Sequence, residues 1–170
     1  THLRGDRPVL TPRLFTIARQ GPGRISTMAA PKGGDQLAEE MSALAWLGVD
    51  IVVNLLTEAE CWELGLLGEA DAAATAGLEY RELPIEDRSV PKARSLIRLA
   101  AELSEAVAAG RHVAIHCRAG IGRSSVLAAA MLRVEGVVPA DAWTAITMAR
   151  GVDVPDTPEQ RHFIDQCDPR

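Results

Sequence analysis

The sequence predicts an α/β fold: one layered domain spanning residues 1–170, with a central, mostly parallel sheet flanked by helices. Three observations predict it. Short apolar runs such as Ile51-Val52-Val53 and Val113-Ala114-Ile115 lack polar alternation, as strands covered on both faces do. These runs alternate with longer segments whose apolar residues recur at helical spacing. The chain has 170 residues, 47% apolar and 24% charged, which is ordinary for a globular domain able to bury a core.

Leu14–Ala18 and Arg24–Met28 read as short strands around the turn Gly21-Pro22-Gly23. Gly33-Gly34-Asp35 then opens a helix, with Asp35 as its expected cap and Leu37, Met41 and Leu44 along one face. Asp50–Leu55 is a buried strand. Glu58–Leu66 and Glu69–Ala76 are two short helices, the second stopped by Gly77, and Leu78–Leu83 is a further strand. Pro84–Pro91 is a loop. Lys92–Ala109 carries Leu96, Leu99, Leu103 and Val107 at helical spacing, and Gly110 closes it. A strand over 111–115 leads into helices near 124–135, 139–150 and 158–167. No internal repeat or low-complexity linker interrupts this order.

Composition narrows the partners. A net charge of −5 argues against nucleic acid or an anionic membrane as the main partner, without arguing against a small basic pocket. No apolar stretch approaches the roughly 18 residues needed to span a bilayer. Cys61, Cys117 and Cys167 form an odd, widely spaced set without metal-type pairing, which fits a reducing compartment and a cytoplasmic location. Cys61 and Cys167 read as packing or surface residues.

His116-Cys117-Arg118-Ala119-Gly120-Ile121-Gly122-Arg123-Ser124 carries the chemistry. It joins a predicted strand to a predicted helix, where backbone N–H groups and the helix dipole converge on an anion. Gly120 and Gly122 let the backbone turn its amides inward. Arg123 can fork two phosphate oxygens, which lysine cannot. Nucleophilic attack by Cys117 requires the thiolate, yet a free thiol ionises only near pH 8.5. The helix N terminus, the amides of 118–123 and Arg123 all favour the charged form. Ser124 can donate a hydrogen bond to the departing sulfur, and His116 suits an organiser of the loop better than a base.

This stretch resembles the signature of the cysteine-dependent protein tyrosine phosphatase superfamily. Leu83-Pro84-Ile85-Glu86-Asp87-Arg88-Ser89-Val90-Pro91 is similar to that family's general-acid loop, and Asp87 precedes Cys117 by 30 positions, as there. Asn54 to Gly77 is similar to the small dual-specificity branch, in particular the kinase-associated phosphatase type. The resemblance implies that Cys117 attacks phosphorus while Arg123 and the amides of Arg118, Ala119, Gly120, Ile121 and Gly122 hold the phosphoryl group. Asp87 would protonate the leaving oxygen and later deprotonate the attacking water, and neither metal nor cofactor would be needed. It also implies a phosphorylated protein as substrate, phosphotyrosine and also phosphoserine or phosphothreonine. Asp156-Thr157-Pro158-Glu159-Gln160 is similar to the segment that positions the hydrolytic water in tyrosine-specific members. Gln160 stands at its second glutamine, but Asp156 replaces the first. Tyr80, the only tyrosine, lies in a predicted strand, so no aromatic clamp deepens the pocket.

Alternatives stay open at this point. Glu86 rivals Asp87, and Asp87 can instead pair with Arg88 or Arg81. A phosphoinositide or inositol phosphate is the closest rival substrate, with Arg19, Arg24, Lys32 and Arg88 as a possible basic rim. Rhodanese-like sulfur transfer fits less well, because its loop is one residue shorter and gives the acid loop no purpose. A phosphopeptide-binding module is the remaining reading. The sequence leaves the oligomeric state open.

Overall fold

The computed structural model describes Pro8 and residues 11–169. Five strands form one sheet in the order β1-β2-β5-β3-β4: Phe15–Thr16 (β1), Arg24–Met28 (β2), Ile51–Asn54 (β3), Glu79–Glu82 (β4) and His112–His116 (β5). Only β1 runs antiparallel; the other pairings are parallel. β5 lies at the centre, with Met28 and Asn54 flanking His116 in register. The carboxyl ends of the parallel strands therefore converge where Cys117 follows β5, the usual place for a site in such a sheet.

Among the described residues seven α-helices cover the two faces: Leu37–Trp46 (α1), Glu58–Glu63 (α2), Glu69–Thr75 (α3), Ala93–Ala108 (α4), Arg123–Val134 (α5), Pro139–Arg150 (α6) and Pro158–Gln166 (α7). The period-2 alternation of β5 divides the core. Val113, Ile115 and Cys117 pack into a cluster with α4, α5, α6 and α7, while Ala114 joins α1, α2 and α3 on the opposite side. α5 is buried along ten successive residues, Arg123 to Leu132, because the sheet and three helices enclose it.

The α/β class and the order of elements agree with the sequence reading, and the differences lie at edges. β1 spans two residues rather than Leu14–Ala18, since it is a sheet edge that pairs with β2 only at Phe15 and Thr16. Asp35 caps nothing: it sits inside a 3₁₀ turn, Gly34–Gln36, and Gln36 precedes α1 without a side-chain cap. Two capping boxes were not foreseen. Thr57 and Glu60 cap α2 reciprocally, and Thr157 and Gln160 do the same for α7. Among the described residues no helix is long and apolar enough to cross a membrane.

The amphipathic face of α4 carries the packing of one core layer. Leu103, 1% exposed, should cost about 2–5 kcal/mol when truncated to alanine, as buried leucines do. The exposed Glu105 of the same helix should change stability by less than about 0.5 kcal/mol on Glu105→Ala. Denaturant titration of the two variants measures the difference.

Candidate active site

β5 delivers Cys117 to the end of the sheet, and α5 starts six residues later at Arg123. Between them the chain turns under two external clamps. The carbonyl of Arg118 accepts from the Ala30 N–H at 3.0 Å. The carbonyls of Ala119 and Gly120 each accept from the Arg150 guanidinium at 3.2 Å. In a trans peptide the N–H points opposite to the C=O, so the N–H groups of Ala119, Gly120 and Ile121 face the other way, into the loop. Gly120 has φ +73°, and a Cβ there would lie 2.7 Å from the Met28 carbonyl carbon, so both conformation and space demand glycine.

Cys117 is 3% exposed, and its Sγ lies 3.3 Å from Ser124 Oγ. With the sulfur ionised, the hydroxyl is the donor in that contact. Arg123 is likewise buried at 2%. Its guanidinium is held by Glu60, which accepts from Nη1 at 2.6 Å and from Nη2 at 2.9 Å. The Ile85 carbonyl accepts from Nη1 at 2.8 Å. Glu60 thus occupies the Nη1–Nη2 edge of the guanidinium. Burial opposes the charge on Arg123, but Glu60 outweighs it and raises the pKa above the usual arginine range. The same hydrogen bonds, against the opposing effect of burial, pull the Glu60 carboxyl down to about 2.

Asp87 and Arg123 come together: Asp87 Oδ1 lies 3.1 Å from Arg123 Nη2. Glu86 is exposed and makes no side-chain contact with Arg123 or the loop, and Arg81 pairs with Glu102 instead of Asp87. Arg88 follows in the left-handed region at φ 61°, closing the turn that carries Asp87.

His116 lies beneath the loop rather than in it. Its Nδ1 is 3.3 Å from the Cys117 carbonyl and its Nε2 is 2.6 Å from Glu69 Oε1, with both side chains fully buried. Glu69 Oε2 accepts from Asn54 Nδ2 at 2.9 Å, and Asn54 reaches Tyr80 and Cys61 as well. Burial pushes the Tyr80 phenol and the Cys61 thiol up from their ordinary values.

Gln160 is fully buried, with its Nε2 close to Gly122 of the loop. Its Oε1 accepts from the Thr157 N–H and its Nε2 donates to the Ser89 carbonyl, both at 3.2 Å. The basic rim drawn from the sequence is dispersed. Arg19 pairs with Glu135, and Arg24 opens β2 at the far end of the sheet. Lys32 does lie near the loop, in a cavity of about 370 Å³ shared with Arg13, Phe15 and Arg150. Glu60, Glu69 and Asn54 were missed by the sequence reading. The Thr57-x-x-Glu60 pattern signalled a helix cap but not a partner for Arg123. Among the described residues no group of three or more His, Cys, Asp or Glu side chains is placed to hold a metal.

Residues 26–137 match the model of a phosphatase family described as "Polymorphic toxin system, DSP-PTPase phosphatase". The chain belongs to that family. It is a phosphatase of the dual-specificity type, as the motif implied, and the matched span includes Asp87 and the whole Cys117 loop. No curated protein sequence matches the chain. Among solved structures, kinase associated phosphatase with its catalytic-site cysteine changed to serine superposes with a TM-score of 0.81 at 19% identity. That match covers 92% of this chain and 93% of the other. Tk-PTP in its active form gives 0.72 at 26% identity, covering 91% and 97%. PTPMT1 in complex with PI(5)P gives 0.68 at 24%, covering 84% and 88%. The likeness to the first and third is one of fold.

The depressed Glu60 carboxyl has a measurable consequence. A group lowered in the folded state stabilises the fold above its unfolded value, here 4.5, and loses that contribution as pH falls toward about 2. Glu60→Gln should therefore lower stability at neutral pH and flatten the acid-side decline between about pH 4.5 and 2. Urea unfolding of both proteins across that range measures it.

Proposed function

We propose that this chain is a metal-independent phosphomonoester hydrolase acting on phosphoproteins through a phosphocysteine intermediate. Its substrates would be phosphotyrosine together with phosphoserine or phosphothreonine. The observation that carries the reading is the arrangement of Cys117, Arg123 and Asp87 around one anion-binding loop. The inward N–H groups and the Arg123 guanidinium stabilise charge on the equatorial oxygens during transfer. Cys117 attacks phosphorus, and Asp87 gives its proton to the leaving oxygen, a contribution of typically 10²–10⁴ in rate. Ser124 donates to the sulfur when water later displaces it. His116 positions the Cys117 carbonyl from below, and Gln160 ties the acid loop to α7. We place the protein in the cytoplasm, on its unpaired cysteines.

A second reading, a phosphoinositide or inositol phosphate as substrate, is favoured by one observation. The cavity beside the loop gathers Arg13, Lys32 and Arg150 against a single carboxylate, Glu40. None of the three cations makes an ion pair among the described residues. The PTPMT1 structure with PI(5)P has the same fold. Comparison of kcat/KM on phosphotyrosine, phosphothreonine and inositol phosphate substrates decides between the readings.

Cys117→Ser should abolish turnover of an aryl phosphate while vanadate still binds, because the amides and Arg123 form the anion site without sulfur. Residual activity in a preparation free of other phosphatases would reject Cys117 as nucleophile. Asp87→Asn should slow phosphotyrosine hydrolysis by at least about 10²-fold, with a much smaller loss on an activated aryl ester. Glu86→Gln should leave that leaving-group dependence intact. Rates of each variant on a series of aryl phosphates provide the check.

A further inference from the structure

The Cys117 loop leaves β5 at the middle of the sheet, and a cavity lies on either side of it. Toward β2 and β1, the cavity of about 370 Å³ holds Arg13, Lys32 and Arg150 against one carboxylate, Glu40. Arg13 and Arg150 lie over the Phe15 ring at 5.0 and 4.3 Å, and Phe15 pairs with Thr27 near the carboxyl end of β2. Arg150 also donates to the Ala119 and Gly120 carbonyls, so this cavity adjoins the loop.

Toward β3 and β4, a groove of about 240 Å³ carries the opposite sign. Leu66, Leu67 and Pro84 give it apolar walls, and its charges are the exposed Glu58 and Glu82. Among the described residues no lysine or arginine lines it. Leu67 is 60% exposed, and Glu82 accepts from Tyr80 Oη at 3.2 Å. The groove also borders the catalytic residues. Ile85, which follows Pro84, donates its N–H to the Leu55 carbonyl, and its own carbonyl accepts from Arg123.

The sheet sets the spacing between the two. The strand order puts β2 and β3 on either side of β5, with β1 and β4 outside them. Neighbouring strands are about 4.8 Å apart, so the flanking strands stand about 5 and 10 Å from β5. An extended peptide advances about 3.3 Å per residue. With its phosphorylated residue at Cys117 and its chain crossing the carboxyl edge of the sheet, it presents side chains two or three positions away to both cavities. A lysine or arginine fits the groove in both its parts, the stem along Leu66, Leu67 and Pro84 and the charge beside Glu58 and Glu82. An aspartate or glutamate meets the three cations on the other side.

We propose that the substrate is a phosphorylated segment of opposed charge, with a basic residue two or three positions from the phosphorylated residue toward β4 and an acidic one as far toward β1. The inference rests on the phosphoprotein reading above and adds the sequence around the phosphorylated residue. The two charges also set the direction in which the peptide crosses the loop, because the reversed peptide places like charges together.

Phosphotyrosine peptides of one length test this. One carries Lys before and Glu after the phosphorylated residue, a second carries the reverse, and a third has Ala at both places, with the pairs set at two and at three positions. Each kcat/KM is divided by that of the same protein on a small aryl phosphate, which enters the loop alone. One order of charges should exceed the other by about tenfold, chiefly through KM, since each exposed pair contributes a factor of about two to five. The exchange Glu58→Lys with Lys32→Glu, at two exposed positions, should remove or reverse that preference. Equal values for the two orders in the native protein overturn the proposal, and so does a preference that the exchange leaves in place. Failure of the phosphoprotein reading itself gives a different result: hydrolysis of the aryl phosphate and of an inositol phosphate, with none of the peptides turned over.

Discussion

The site depends on the ion pair between Arg123 and Glu60. A guanidinium at 2% exposure costs several kcal/mol to desolvate unless a partner of matched geometry meets it. Glu60 provides that match along the Nη1–Nη2 edge, at 2.6 and 2.9 Å. Glu60 is itself fixed, because the capping box with Thr57 holds its helix turn in place. The pair therefore links α2, after the third strand, to α5, after the fifth. It also sets which face of the guanidinium is offered to a phosphoryl group. Arg118 extends the same contact outward, its side chain bound to Glu60 and Glu63, so the turn of the loop is tethered at both ends.

Beneath this pair lies a second polar unit inside an otherwise apolar floor. His116, Glu69, Asn54 and Tyr80 form a continuous chain of hydrogen bonds at the carboxyl ends of β3, β4 and β5. A buried carboxylate without a partner is costly, and Glu69 is satisfied by His116 and Asn54 together. Such a unit has few alternative packings. It fixes the orientation of the Cys117 carbonyl, from which the loop departs, and hence the direction of the amides that follow.

The acid loop is held from the opposite side. The Ile85 carbonyl accepts from Arg123, and the Ser89 carbonyl accepts from Gln160 of α7. Asp87 sits between these two anchors. α7 is thus bonded to a loop some seventy residues earlier. Asp156 approaches Gly122 from the same direction. Carboxylates from three separate parts of the chain border the loop: Glu60 of α2, Asp87 of the acid loop and Asp156 of the turn before α7.

Much of this was legible in the residues alone. Short unalternating apolar runs bounded by turn residues read as strands covered on both faces, and the α4 face follows from its spacing, so class and element order follow from local patterning. Cys117, Arg123 and Ser124 were legible because their chemistry depends on one contiguous turn. The motif pointed to Asp87 ahead of Glu86, and the fold brings Asp87 beside Arg123. Glu60, Glu69 and Asn54 carried no signal of their own, because a carboxylate or amide in a short helix or strand end reads as solvated surface. The cap that Gln160 forms on α7 and its bond to the Ser89 carbonyl were not legible, because they depend on a segment some seventy residues earlier. The sequence by itself determined the strand–loop–helix that holds phosphate, because that geometry is local. Only the tertiary structure decided which carboxylates face it, because a charge is placed by whatever distant segment folds against it.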